Sequence, residues 1–113
     1  ASTYQGEGSE LAMLSQARAS DMVFSQPVVH EFPRLSVPTV LIIGERDTTA
    51  IGRDRASPEI AGTLGNYPAL AREAEQRIPG SRLIAFPDLG HSPQVEDPER
   101  FNTTLLDALA ALP

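Results

Sequence analysis

The sequence predicts an α/β fold in which a parallel sheet is flanked by helices. The strongest apolar run, residues 40–43, is apolar on both faces, as in a strand buried within a parallel sheet. Strand-like and helix-like segments alternate in the order helix, strand, helix, strand, helix, which implies parallel pairing through crossovers. Two strands alone do not make a stable sheet of this kind, so we expect the fold to be incomplete without additional strands.

The N-terminal part of the chain predicts one helix and little regular structure around it. Residues 1–8 are small, polar and glycine-bearing, which suits a loop or a chain end. Apolar residues recur at near-helical spacing over residues 9–24, so a helix is expected there. Pro27 and Pro33 interrupt this pattern, and we expect residues 26–34 to form an extended connection.

The first strand is expected over residues 38–44, where β-branched and apolar residues end at a glycine. A long polar connection follows over residues 45–67, with at most one short helical turn near residues 57–61. An irregular connection of this length is more often functional than merely structural.

The second half of the chain repeats the alternation. Residues 68–78 predict a helix that begins at a proline and ends before another, and residues 81–86 predict the second strand. The last helix is expected to begin at Pro98, with Asp97 as its N-cap. Its apolar stripe is expected to consist of Phe101, Leu105, Leu109 and Leu112.

Composition excludes several classes of function. The net charge of -6 leaves no excess of cations to neutralise phosphates, so we expect no nucleic-acid partner. No apolar run approaches the roughly 20 residues of a membrane-spanning helix, so no membrane span is predicted. The chain has no cysteine, which excludes disulfides and thiolate metal sites and leaves the cellular compartment open.

Two turns carry the residues that suggest chemistry. Asp47 follows the first predicted strand, and His91 lies on a Gly-Pro-rich turn after the second. The carboxyl ends of parallel strands meet at one edge of a sheet, where reactive groups collect. Histidine is the natural general base near neutral pH, and a carboxylate bound to its other ring nitrogen fixes its tautomer. Asp47 and His91 are therefore candidates for the acid and base of a catalytic triad.

The other acidic residues are better explained by structure. Asp88 lies three residues before His91, but the turn supplies no second histidine to complete a metal site. Glu96 and Asp97 are adjacent acids, yet Asp97 before Pro98 fits a helix cap better than a catalytic pair. The glycines near the N-terminus follow no strand and precede no lysine, unlike those of a phosphate loop. We expect neither a metal nor a cofactor.

Two segments resemble the α/β-hydrolase family. The sequence PTVLIIGERD at residues 38–47 and GHSPQVEDPERF at residues 90–101 are similar to the last two sheet strands and catalytic turns of that family. The resemblance implies that residues 1–34 are the end of a helical cap with its connection to the core. It also implies that residues 35–113 are the C-terminal part of the hydrolase core.

By this resemblance Asp47 would be the triad acid and His91 the triad base. The family's nucleophile elbow, Gly-x-Ser-x-Gly or its aspartate variant, does not occur in the 113 residues. We therefore expect the nucleophile on an N-terminal segment or on another chain of the same protein, acting on a small apolar ester or other acyl compound. Whether the nucleophile is serine, aspartate or cysteine stays open. The alternative is a non-catalytic ligand-binding or interaction module of the same fold.

Overall fold

The computed structural model describes residues 6–112, which fall into two compact units, residues 6–30 and residues 31–112. The expected N-terminal loop at residues 1–8 lies largely outside the described part. In the first unit, helix α1 covers Ser9–Ser25, which confirms the predicted helix. None of its residues is buried. No helix within residues 6–112 combines the length and apolarity that crossing a membrane requires.

The expected extended connection over residues 26–34 is wrong, because Val28–Arg34 form a 3-10 helix. Proline does not prevent this, since its fixed φ near -65° lies within the range of a 3-10 helix as well as that of an extended chain. Side chains three residues apart eclipse in a 3-10 helix, and Glu31 and Arg34 use this to form an ion pair of 2.8 Å.

The second unit contains a parallel sheet of two strands. Strand β1 covers Val40–Gly44 and strand β2 covers Arg82–Phe86, so both predicted strands and their parallel pairing are confirmed. The register places Gly44 opposite Phe86. Both strands therefore end at the same edge, and the turns that follow them start side by side.

The connection between the strands contains three helical elements. Parallel strands need such a long crossover because the chain must return to the same end of the sheet. The expected turn near residues 57–61 is confirmed, and the 3-10 turn was not expected. The elements are the 3-10 turn Arg53–Arg55, helix α2 at Pro58–Ala61 and helix α3 at Tyr67–Arg77.

Helix α3 packs against both strands, and one of its side chains bonds to the backbone of β2. Its N-cap is Asn66, whose side chain accepts a hydrogen bond from the Ala69 N–H at 3.2 Å. The Glu75 side chain accepts the N–H of Leu83 at 2.7 Å, so this edge group of β2 is not free to pair with another strand. Within the described residues β1 pairs only with β2.

Two helices follow β2. Helix α4 covers Pro93–Glu96 and was not expected, whereas helix α5 covers Pro98–Ala110 as predicted. The cap prediction is confirmed, because Asp97 Oδ1 accepts the N–H of Arg100 at 3.1 Å. Three members of the predicted stripe of α5 are half-buried, Phe101, Leu105 and Leu112. Leu109 is exposed, and Ala108 is buried instead.

Arg100 ties α5 to the end of β2. Its Nη1 donates to both carboxylate oxygens of Asp88, at 2.8 and 2.9 Å. Its guanidinium also lies 4.6 Å from the centre of the Phe86 ring, a cation–π distance. The start of the turn that carries His91 is thereby attached to the last helix.

The end of β1 lies directly against the backbone of the His91 turn. A Cβ atom on Gly44 would stand 2.1 Å from the carbonyl oxygen of Gly90 and 2.5 Å from that of Leu89. Both contacts are with main-chain atoms, which cannot rotate away as a side chain can. Only glycine fits at residue 44 while the two turns remain this close.

We expect Gly44→Ala to destabilise the full protein by about 1–3 kcal/mol, because the new methyl group must push two backbone segments apart. The midpoint of urea unfolding measures this loss. Gly62→Ala is the matched control, since Gly62 has a helical φ of -66° and its Cβ would meet nothing closer than 3.5 Å. Equal midpoints for the two variants would contradict the close approach at Gly44.

Candidate active site

Asp47 is held in a tight turn three residues after the end of β1. Its N–H donates to the carbonyl of Gly44 at 3.2 Å, and its Oδ1 accepts the N–H of Thr49 at 2.7 Å. Aspartate commonly forms this bond to the backbone two residues ahead. The side chain is only 6% exposed. The turn thus fixes the carboxylate and leaves its second oxygen, Oδ2, for another partner.

Main-chain hydrogen bonds join the turn of Asp47 to the turn of His91. The N–H of Glu45 donates to the carbonyl of Phe86, and the N–H of Arg46 donates to the carbonyl of Leu89, both at 2.9 Å. These bonds continue the pairing of the strands beyond their ends. The separation of the two side chains is therefore set by the backbone.

The structure brings the two predicted site residues into direct contact. His91 Nδ1 lies 2.8 Å from Asp47 Oδ2. An ionised carboxylate can only accept a hydrogen bond, so the shared proton belongs to Nδ1 of the imidazole. In the neutral ring this leaves Nε2 without a proton and with a free lone pair. The His91 side chain is 64% exposed, so Nε2 is available to a reactant.

The pKa of Asp47 is held below its usual value. Burial of the carboxyl group acts to raise the pKa, but the hydrogen bonds from His91 and Thr49 together outweigh it. Asp47 is therefore a carboxylate at neutral pH.

Tyr67 is a neighbour of this pair that sequence reasoning missed. Burial raises the pKa of its phenol, and the negative charge of Asp47 raises it further. The hydroxyl therefore stays neutral at physiological pH. Tyr67 is the first residue of α3 and directly follows the long polar connection that begins at the site. This position was the one feature of the sequence that could have indicated a place near Asp47.

The structure places the other acidic candidates elsewhere. Asp88 faces Arg100, whose hydrogen bonds hold the pKa of this exposed carboxyl below its usual value. Among residues 6–112, no group of three or more histidines and acids could hold a metal ion. A concavity at the amino ends of the strands, beside Val40, Arg82 and Leu112, holds neither member of the Asp47–His91 pair.

Comparison with known proteins identifies one family. Residues 4–104 match the model of the alpha/beta hydrolase family. A crystal structure of a probable hydrolytic enzyme from Pseudomonas aeruginosa superimposes with a TM-score of 0.88 and 51% sequence identity. That match covers 92% of this chain and 33% of the other, so this chain spans about a third of that protein's length. No curated protein matches. The chain belongs to the alpha/beta hydrolase family.

Proposed function

We propose that this chain supplies the acid and the base of a hydrolase triad, Asp47 and His91, for hydrolysis of a small apolar ester or another acyl compound. The observation that carries the proposal is the 2.8 Å contact between His91 Nδ1 and Asp47 Oδ2. It joins a buried carboxylate to an exposed imidazole at the carboxyl ends of two parallel strands, where sites of this fold class collect. Family membership and the similarity to a probable hydrolytic enzyme support hydrolysis as the reaction.

The proposed chemistry follows from the free Nε2 of His91. As a serine hydroxyl attacks the acyl carbon, Nε2 takes its proton and the new carbon–oxygen bond forms. The imidazolium is stabilised by Asp47, and it then gives the proton to the leaving alkoxide as the ester bond breaks. Water then attacks the acyl carbon of the acyl-enzyme and loses a proton to Nε2. The acyl–serine bond breaks, the carboxylic acid leaves, and Nε2 returns the proton to the serine oxygen.

The nucleophile is proposed to reside on an N-terminal segment or another chain of the same protein. No Gly-x-Ser-x-Gly sequence occurs among the 113 residues. The second unit also exposes several large apolar side chains. Soluble proteins rarely leave large apolar patches exposed unless another segment or a partner covers them. These side chains include Val37 at 61%, Leu70 at 51%, Leu106 at 66% and Leu109 at 54% exposed. A segment that extends the sheet beside β1 would cover part of this surface.

In the full protein, His91→Ala should lower kcat for a p-nitrophenyl ester by about 10³-fold or more, because the base is removed. The unfolding midpoint should stay unchanged, since the exposed ring contributes little packing. His30→Ala is the matched control, because His30 is the chain's other histidine and is exposed in the structure. Near-native turnover of His91→Ala would contradict the triad assignment, whereas an absence of turnover in the parent protein would favour a non-catalytic ligand-binding module.

The proposal requires Asp47 to be ionised, and this predicts a pH dependence of stability. The folded-state pKa of Asp47 lies below that of the unfolded chain, about 3.9, so ionised Asp47 stabilises the fold above that pH. This stabilisation should be lost as the pH falls below about 3.9 and through the folded-state pKa of Asp47. The difference in unfolding free energy between the parent and Asp47→Asn should be constant from pH 7 to about 5 and shrink below about 4. A difference that grows on acidification would contradict the assignment.

A further inference from the structure

One carboxylate binds the backbone on both sides of His91. Glu96 is the last residue of α4, and its Oε2 accepts the N–H of Gly90 at 2.7 Å. Its Oε1 accepts the N–H of Ser92 at 3.1 Å. The two N–H groups belong to the residues on either side of His91, and each donates to a different oxygen of the Glu96 carboxylate. The backbone that carries the proposed base is therefore held at the N–H groups of the residues before and after it.

Glu96 is also attached to the same turn through its main chain. Its N–H donates to the carbonyl of Ser92 at 3.0 Å, so residues 92 and 96 are joined by two hydrogen bonds of opposite direction. A capping box has a similar arrangement, in which a Glu side chain returns to the N–H of the N-cap residue three positions earlier. Here the Glu96 side chain bonds to the N–H of a residue four positions earlier, Ser92, and its second oxygen, Oε2, accepts the N–H of Gly90.

The carboxylate fits closely against the glycine that precedes His91. A Cβ atom on Gly90 would lie 3.1 Å from Glu96 Oε1 and 3.4 Å from Oε2. The carbonyl of the same glycine lies against the end of β1, where it leaves no space for a Cβ atom on Gly44. The backbone before His91 thus lies between the end of β1 and the Glu96 carboxylate.

The exposed ring of His91 needs such support. With 64% of its side chain exposed, His91 is oriented by its hydrogen bond to Asp47 and by the backbone from which it projects, more than by packing. A misplacement of about 1 Å at a reacting group can cost on the order of 10²-fold in rate. A residue that holds the N–H groups of Gly90 and Ser92 limits that displacement.

We propose that Glu96 is a positioning residue, which holds the His91 turn so that Nδ1 stays on Asp47 and Nε2 stays aimed at the reactants. This inference rests on the proposed role of His91 as a base. Glu96 itself needs no contact with substrate. It acts through two backbone amides, so its loss should affect the rate of the chemical step and leave substrate binding almost unchanged.

The test compares Glu96→Ala with Glu99→Ala in the full protein. Glu99 is the matched control, because it is an exposed acid three residues later whose side chain makes no hydrogen bond or ion pair within residues 6–112. We expect Glu96→Ala to lower kcat by about 10- to 100-fold with KM changed less than about twofold. Glu96→Gln keeps one carbonyl acceptor and should fall between the parent and Glu96→Ala.

A second readout needs no enzymatic activity. The amides of Gly90 and Ser92 should exchange with deuterium about tenfold faster in Glu96→Ala and at the parent rate in Glu99→Ala. Equal kcat values for Glu96→Ala and Glu99→Ala, or unchanged exchange at both amides, would overturn the positioning role. Equal turnover of the parent and His91→Ala would instead overturn the proposed function, and the exchange rates would still show whether Glu96 holds the turn.

Discussion

The parallel register of β1 and β2 is the constraint on which the site depends. It sets Gly44 opposite Phe86, so the two chains leave the sheet together and their turns continue to exchange backbone hydrogen bonds. Since Gly44 has no Cβ, the carbonyl of Gly90 can approach the end of β1. A side chain at residue 44 would separate the turns and break the geometry that joins His91 to Asp47.

That geometry also explains how a buried carboxylate is tolerated. Removing an ionised aspartate from water is costly unless its oxygens find donors, and Asp47 has one for each: Thr49 on Oδ1 and His91 on Oδ2. The donors lower the pKa of Asp47 despite burial, which keeps the group charged. Glu96 lies at the surface and also uses both of its carboxylate oxygens, which accept the backbone N–H groups of Gly90 and Ser92. One acid thus orients the imidazole and the other supports its backbone.

Much of this arrangement could be predicted from the sequence, because strands buried on both faces and capped helices leave periodic patterns. The run ending at Gly44 identified β1, and parallel pairing then placed Asp47 beside His91. The 3-10 helix Val28–Arg34 escaped prediction because proline permits both extended and 3-10 backbone. The role of Glu96 escaped because a side chain bound to backbone amides of a turn has no periodic signature.

Ionised Asp47 should hold the proton of the neutral His91 ring on Nδ1, and the tautomer of His91 is therefore the decisive quantity to measure. Nitrogen-15 NMR of the full protein, at a pH where the ring is neutral, distinguishes a protonated Nδ1 from a protonated Nε2. We predict the Nδ1–H form in the parent and a shift toward Nε2–H in Asp47→Asn, whose amide can donate to Nδ1. A parent ring protonated mainly on Nε2 would contradict the account.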